Sequence, residues 1–260
     1  MTNDKIELLR GRLGLDHRTF PDDARGVALP WASADLQPLV GDAWRSLGDA
    51  ALPLEPGEAT RDWTWARGDG RIKISVFVSS VGAAAARERL LMVATNSTME
   101  DVPYVAGPAD LGDVAAISPG RSGDSLIWAA SNVCAWILVD DAPGVDAVAI
   151  ARGLQALIDA HIVADVAAAR PRIEAVKKSA REVEVDEWFT VTLRVRATAA
   201  ELMVGFVGGE GAVRIDGAPG LTTTLRCEVA GPRVLTMMVA DPSTLLSDSA
   251  PVTLLVKPAP

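Results

Sequence analysis

The sequence predicts an α+β domain, an antiparallel sheet covered by helices, followed by an all-β sandwich. Three observations carry that expectation. Residues 126–139 read as two strands that are apolar on both faces. Several stretches before residue 166 repeat their apolar side chains at helical spacing, and beyond residue 181 the repeat shortens to two. The boundaries drawn from these patterns are 1–166 for the first domain with an N-terminal helical arm, 167–181 for a linker, and 182–260 for the second. A chain of 260 residues has room for both.

Taken in order, Ile6, Leu9 and Leu13 share one face of a short opening helix. A helix this short needs something to dock on, either its own domain or a partner. Ser33 is an N-cap for a helix carrying Leu36, Val40, Ala43 and Leu47 on one side, ended by Gly48. Asp62–Trp65 and Ile72–Val78 flank Arg67-Gly68-Asp69-Gly70, which reads as a hairpin with Asp-Gly at the turn. Gly and Asp are what a turn requires, so the Arg-Gly-Asp tripeptide is read as turn and not as an adhesion signal. A helix from Gly82 to Thr95 follows, with Ala83, Ala86, Leu90, Val93 and Ala94 inward.

Leu126–Ser131 and Val133–Val139 form the central hairpin, reversed at Ser131-Asn132 because Asn tolerates positive φ. Asp146 caps the closing helix. Ala147, Ile150, Leu154, Leu157, Ile158 and His161 share its inner side, with Arg152, Gln155 and Asp159 on the other. After a seam broken at Pro171, seven short strands are read between residues 183 and 257, with Val191, Leu193 and Val195 facing in. Such spacing describes a β-sandwich of immunoglobulin-like topology.

Leu111-Gly112-Asp113-Val114-Ala115 before a strand, Asn132-Val133 at a turn and the helix from Asp146 to His161 carry one resemblance. Residues 55–163 resemble the α/β/α sandwich of PsbP-like proteins and of small sensor and lipoprotein domains of actinobacteria, though this chain shows no lipobox or leader. Residues 182–258 resemble bacterial immunoglobulin-like modules without their disulfide. The second resemblance implies a spacer or binding role. Neither transfers a functional residue.

Charge separates the halves. Residues 1–166 hold 23 acidic and 14 basic side chains, a net of −9, while residues 167–260 hold 11 of each. Neither half offers the basic face that phosphate neutralisation requires, so nucleic acid is not an expected partner. No apolar run is long enough to span a bilayer and the first residues lack a signal-peptide core, so a cytoplasmic protein is expected. An exported form with a removed leader stays open. Cys134 and Cys227 fall on strands of different domains and are read as buried thiols.

No nucleophile elbow, phosphate loop or calcium loop appears, and the two histidines, His17 and His161, lack partners in sequence. An enzyme, a metal site and a cofactor are therefore not expected. Arg121 and Ser122 make a candidate anion loop. Six of the seven tryptophans lie before residue 166. Trp31, Trp63 and Trp65 are candidates for contact with a ligand or partner, Trp31 and Trp63 being expected partly exposed. The arm residues Ile6, Leu9 and Leu13 are the other contact candidates. The resulting expectation is a non-catalytic binding or scaffold protein acting through protein–protein contacts, an accessory subunit of a larger assembly being one form of it. The alternative is a carrier of a small apolar ligand in a Trp-lined pocket.

Overall fold

In the structure, a computed structural model, residues 2–18, 26–29, 31–96, 104–119, 124–163, 169–208 and 213–259 are described. Of these, 49% are strand and 22% helix. That proportion overturns the expected pairing of a helix-covered α+β domain with an immunoglobulin-like domain: the molecule is mostly β, with four α-helices among the described residues. The elements run α1 (Thr2–Arg12), a 3-10 turn at Leu15–His17, β1 (Gly26–Val27), α2 (Ser33–Val40), β2 (Arg45–Glu55), β3 (Glu58–Arg67) and β4 (Gly70–Ser79). Then come α3 (Ala83–Asn96), β5 (Val105–Ala106), β6 (Val114–Pro119), β7 (Asp124–Ala130), β8 (Val133–Asp140), α4 (Ala147–Ala160) and β9 (Ile162–Val163). The remainder is all strand: β10 (Arg172–Lys178), β11 (Glu182–Glu184), β12 (Trp188–Arg196), β13 (Met203–Gly208), β14 (Val213–Asp216), β15 (Thr222–Cys227), β16 (Gly231–Ala240) and β17 (Ser247–Lys257).

Two misread segments account for much of the shortfall in strand. Leu36 and Val40 do face inward on α2, but Gly41 takes φ 91 and the helix stops there. Ala43 and Leu47 continue the helical spacing only by coincidence; Arg45–Glu55 is an 11-residue strand at the edge of the sheet. Likewise Arg172–Lys178, inside the stretch read as a seam, pairs antiparallel with β12. A bulge between Ile173 and Ala175 breaks its repeat of two, so that Ile173 and Val176, three residues apart, both pack toward the core while Arg172 and Lys177 face out.

The chain divides into two compact units, Met1–Ala51 with Thr60–Ala164, and Leu52–Ala59 with Asp165–Pro260. The first is built on a seven-stranded sheet in the order β2-β3-β4-β8-β7-β6-β5. Register sets Ile72, Ile74 and Val76 beside Val139, Ile137 and Ala135, and these beside Leu126 and Trp128. All are buried, as the two-sided apolar pattern required. On the other face, α1 and α3 pack Leu9, Leu13, Leu90, Leu91 and Ala94 over Ile127, Ala129 and Cys134. The helices do not reach across the whole of this face. Phe77 is covered, whereas Lys73 lies open, paired with Asp62 at 2.8 Å and set over the Trp136 ring at 5.7 Å.

The second unit is a two-sheet sandwich. One sheet runs β10-β12-β15-β14; the other runs β11-β17-β16-β13, in which β11 and β17 are parallel. Phe189, Val191, Leu193, Leu225 and Cys227 from the first sheet close on Leu235, Met237, Val239, Val252 and Leu254 from the second. Residues two apart on a strand share a face, which turns these side chains inward together, Val191 and Leu193 as the alternation predicts. Among the described residues no helix is long and apolar enough to cross a membrane.

Candidate functional site

A cleft of the first unit holds about 270 Å³ and lies where α4, the segment before β6 and the β7–β8 turn converge. Val27, Val133, Ile158 and Ile162 supply apolar lining; Asp110, Asp113, Gln155 and Asp159 supply the polar lining. Each polar group is placed by a local device. The Asp146 carboxylate accepts from the Val148 and Ala149 N–H groups and so starts α4. One and two turns further on, α4 presents Arg152, Gln155 and Asp159 along its outer side, as the helical repeat predicts.

Trp128 Nε1 donates to Gln155 Oε1 at 2.7 Å, and Gln155 Nε2 donates to Asp159 Oδ1 at 2.9 Å. This relay fixes the Asp159 carboxylate from a side chain rooted in the sheet. Arg152 donates twice to Asp110, from Nε at 2.8 Å and Nη2 at 3.2 Å. That hydrogen bond, more than the charge behind it, holds the Asp110 carboxyl below its ordinary pKa and raises Arg152. Asp113 Oδ2 accepts the Ser131 N–H at 2.6 Å, and its backbone N–H donates to Ala129 O at 2.7 Å. Ser131, at φ 52, is the turn residue in the left-handed region; Asn132 instead is buried and donates to Ser79 O at 2.8 Å. Gly112 brings the chain so close that a Cβ would lie 2.5 Å from Ala129 O.

The tryptophans read as contact candidates are core. Trp63 and Trp65 are fully buried and Trp31 is 4% exposed, so the partial exposure expected of Trp31 and Trp63 is not found. The indole N–H groups of Trp63 and Trp65 have inward partners, Trp63 Nε1 donating to Trp31 O at 3.0 Å and Trp65 Nε1 to Gln37 Oε1 at 3.1 Å, whereas Trp31 Nε1 is buried with no hydrogen-bond partner among the described residues. Leu9 and Leu13 are buried in the α1–α3 cluster with Ile6 half-buried against it, so α1 docks on its own unit and is not a loose arm. Arg10 fastens it to Glu88 at 2.6 Å. Arg121 and Ser122 lie outside the described residues.

His161 packs edge-on against Trp31, with ring centroids 5.4 Å apart, and its Nδ1–H donates to Leu157 O at 2.8 Å. It lines neither the cleft nor a carboxylate cluster. His17 is exposed in the 3-10 turn. Among the described residues no three His, Cys, Asp or Glu side chains group to hold a metal ion.

Trp188 was missed. It is 46% exposed, and Arg226 lies over its ring at 5.2 Å. The signal was present, because Phe189, Val191 and Leu193 face in and strand alternation then turns Trp188 out. No protein-family model matches the chain, nor does any curated protein match it in sequence. The resemblances drawn from sequence therefore rest on their own residues.

Proposed function

We propose that this is a non-catalytic binding protein that engages a protein partner by taking one of its basic side chains into the Asp110–Asp159 cleft. The cleft's two-part lining is the observation that carries the reading. An arginine or lysine has an apolar stem and a cationic head, and the cleft opposes Ile158, Val133 and Val27 to the first and carboxylates to the second. Its size, about 270 Å³, has room for a single long side chain. The polar groups lining it are already committed to Arg152, Ser131, Gln155 and Trp128, an arrangement that holds shape in a binding surface. The apolar-carrier reading loses its support, since Trp31, Trp63 and Trp65 are packed core and line no described cavity.

The test is calorimetric titration with a short peptide bearing a central arginine and with its citrulline counterpart, which keeps the shape and loses the charge. The arginine peptide should bind and the citrulline peptide should bind at least about tenfold more weakly, as expected for a charge-assisted hydrogen bond. Asp159→Asn should reduce the arginine affinity by a similar factor while leaving the fold unchanged. Equal affinity for both peptides, or indifference to Asp159→Asn, contradicts the reading.

A further inference from the structure

The balanced charge of residues 167–260 conceals a segregation that appears only once the strands are paired. In the β10-β12-β15-β14 sheet, Phe189, Val191 and Leu193 point into the sandwich, so Trp188, Thr190, Thr192, Arg194 and Arg196 point out. Register sets Arg172 opposite Arg196, and Lys177 opposite Thr192. Arg172, Arg194 and Arg196 therefore crowd one end of a single outward face, and Lys177 stands beside its middle. Glu174 is the described carboxylate among them, 3.3 Å from Arg194 and 4.0 Å from Arg196. Four cations around one anion leave an excess of three. The two arginine side chains are 74% and 70% exposed, long and forked, standing two residues apart on the same side of a strand. Threonines floor the middle of the face, and Trp188 with Arg226 closes the other end. Tryptophan and arginine are the residues most often found at the energetic centre of protein interfaces.

All the excess negative charge of this chain sits on its other half, −9 across residues 1–166, where the acidic cleft lies. We infer that the outward face of β10–β12–β15 docks a second copy of this chain, Arg194 or Arg196 of one copy entering the Asp110–Asp159 cleft of the next. The inference rests on the cleft's being a socket for a basic side chain, and it names the partner. The contact is heterologous, since one surface meets a different surface, and each copy offers both a basic face and a cleft. It is also salt-labile, because exposed charges are screened over about 8–10 Å at physiological ionic strength.

Sedimentation velocity of the full chain tests this. At about 50 mM salt the mean mass should rise with concentration, and at about 0.5 M it should fall back to one chain. Arg194→Glu/Arg196→Glu, on an exposed face, should be monomeric at both salts, as should Asp159→Lys. Mixing the two variants is the decisive arm. Each retains one intact half of the contact, so the mixture should form a one-to-one dimer that does not grow. A wild-type chain that stays monomeric at low salt overturns the inference, as does a mixture that stays monomeric or an arginine double variant that still associates. Arginine-peptide binding without self-association sinks this inference alone; loss of peptide binding sinks the socket reading with it.

Discussion

Gly112 ties the cleft to the sheet, and replacing it with alanine gives a prediction with a worked magnitude. Two costs apply. At φ +59 any L side chain is strained, by roughly 1–2 kcal/mol. The new methyl would also sit 2.5 Å from Ala129 O and 3.0 Å from Trp128 Cδ1, and a backbone oxygen cannot swing aside as a side chain end does. Overpacking of that kind costs about 1–3 kcal/mol. Gly144 supplies the control: its φ is +84, yet a Cβ there meets nothing within 4 Å. Gly144→Ala thus carries the conformational cost alone, offset by about 0.4–1 kcal/mol through the stiffer unfolded chain. The difference between the variants isolates the steric part, about 1–3 kcal/mol. Urea unfolding followed by tryptophan fluorescence measures it, since six of the seven tryptophans lie in residues 1–166. Equal stability of Gly112→Ala and Gly144→Ala would mean that the close approach of Gly112 to β7 is wrong. Gly112→Ala should also weaken arginine-peptide binding, because the displaced backbone carries Asp113; Gly144→Ala should not.

Leu9→Ala should cost about 2–5 kcal/mol in urea unfolding, the range for emptying a fully buried leucine site, whereas a loose arm would show almost no change. Deleting residues 1–13 should lower stability further, read by the same assay. Burial pushes the Cys227 thiol up against a smaller downward pull from Arg233, so the native chain keeps it protonated. Stability from that thiol is fully present below the ordinary thiol value and is lost as pH rises from there through the elevated folded value. Neither Cys134 nor Cys227 should react with a thiol reagent at pH 8 until denaturant is added, and fast native labelling would contradict their burial.

Periodicity was informative where one pattern admitted one packing. The Ile72–Val78 face, the Val133–Val139 strand and the α4 stripe all read correctly, because burial on a sheet or helix leaves a repeat of two or of 3.6. Reading failed where two repeats overlapped. Leu36, Val40, Ala43 and Leu47 fit a helix, and only the conformation of Gly41 shows that the last two do not belong to it. The tryptophans misled for a related reason. A large ring with a polar tip can line a cleft or fill a core, and partners such as Trp31 O and Gln37 Oε1, distant in sequence, decide between them. The cleft was not legible in the sequence. Asp113 entered the reading only within a structural motif, and Gln155 and Asp159 only as the outer side of a helix; their convergence depends on β7 and α4 being neighbours, which no local pattern records.

The most direct measurement is the ¹H–¹⁵N spectrum of the full chain titrated with the arginine peptide and then with its citrulline counterpart. Trp128 Nε1–H donates into the relay that ends at Asp159, and the Ser131 amide donates to Asp113, so both report on the cleft without being mutated. The expected result is that these two resonances move saturably with arginine and stay nearly fixed with citrulline. Movement elsewhere with these two unmoved, or the same movement with either peptide, would contradict a socket for a basic side chain.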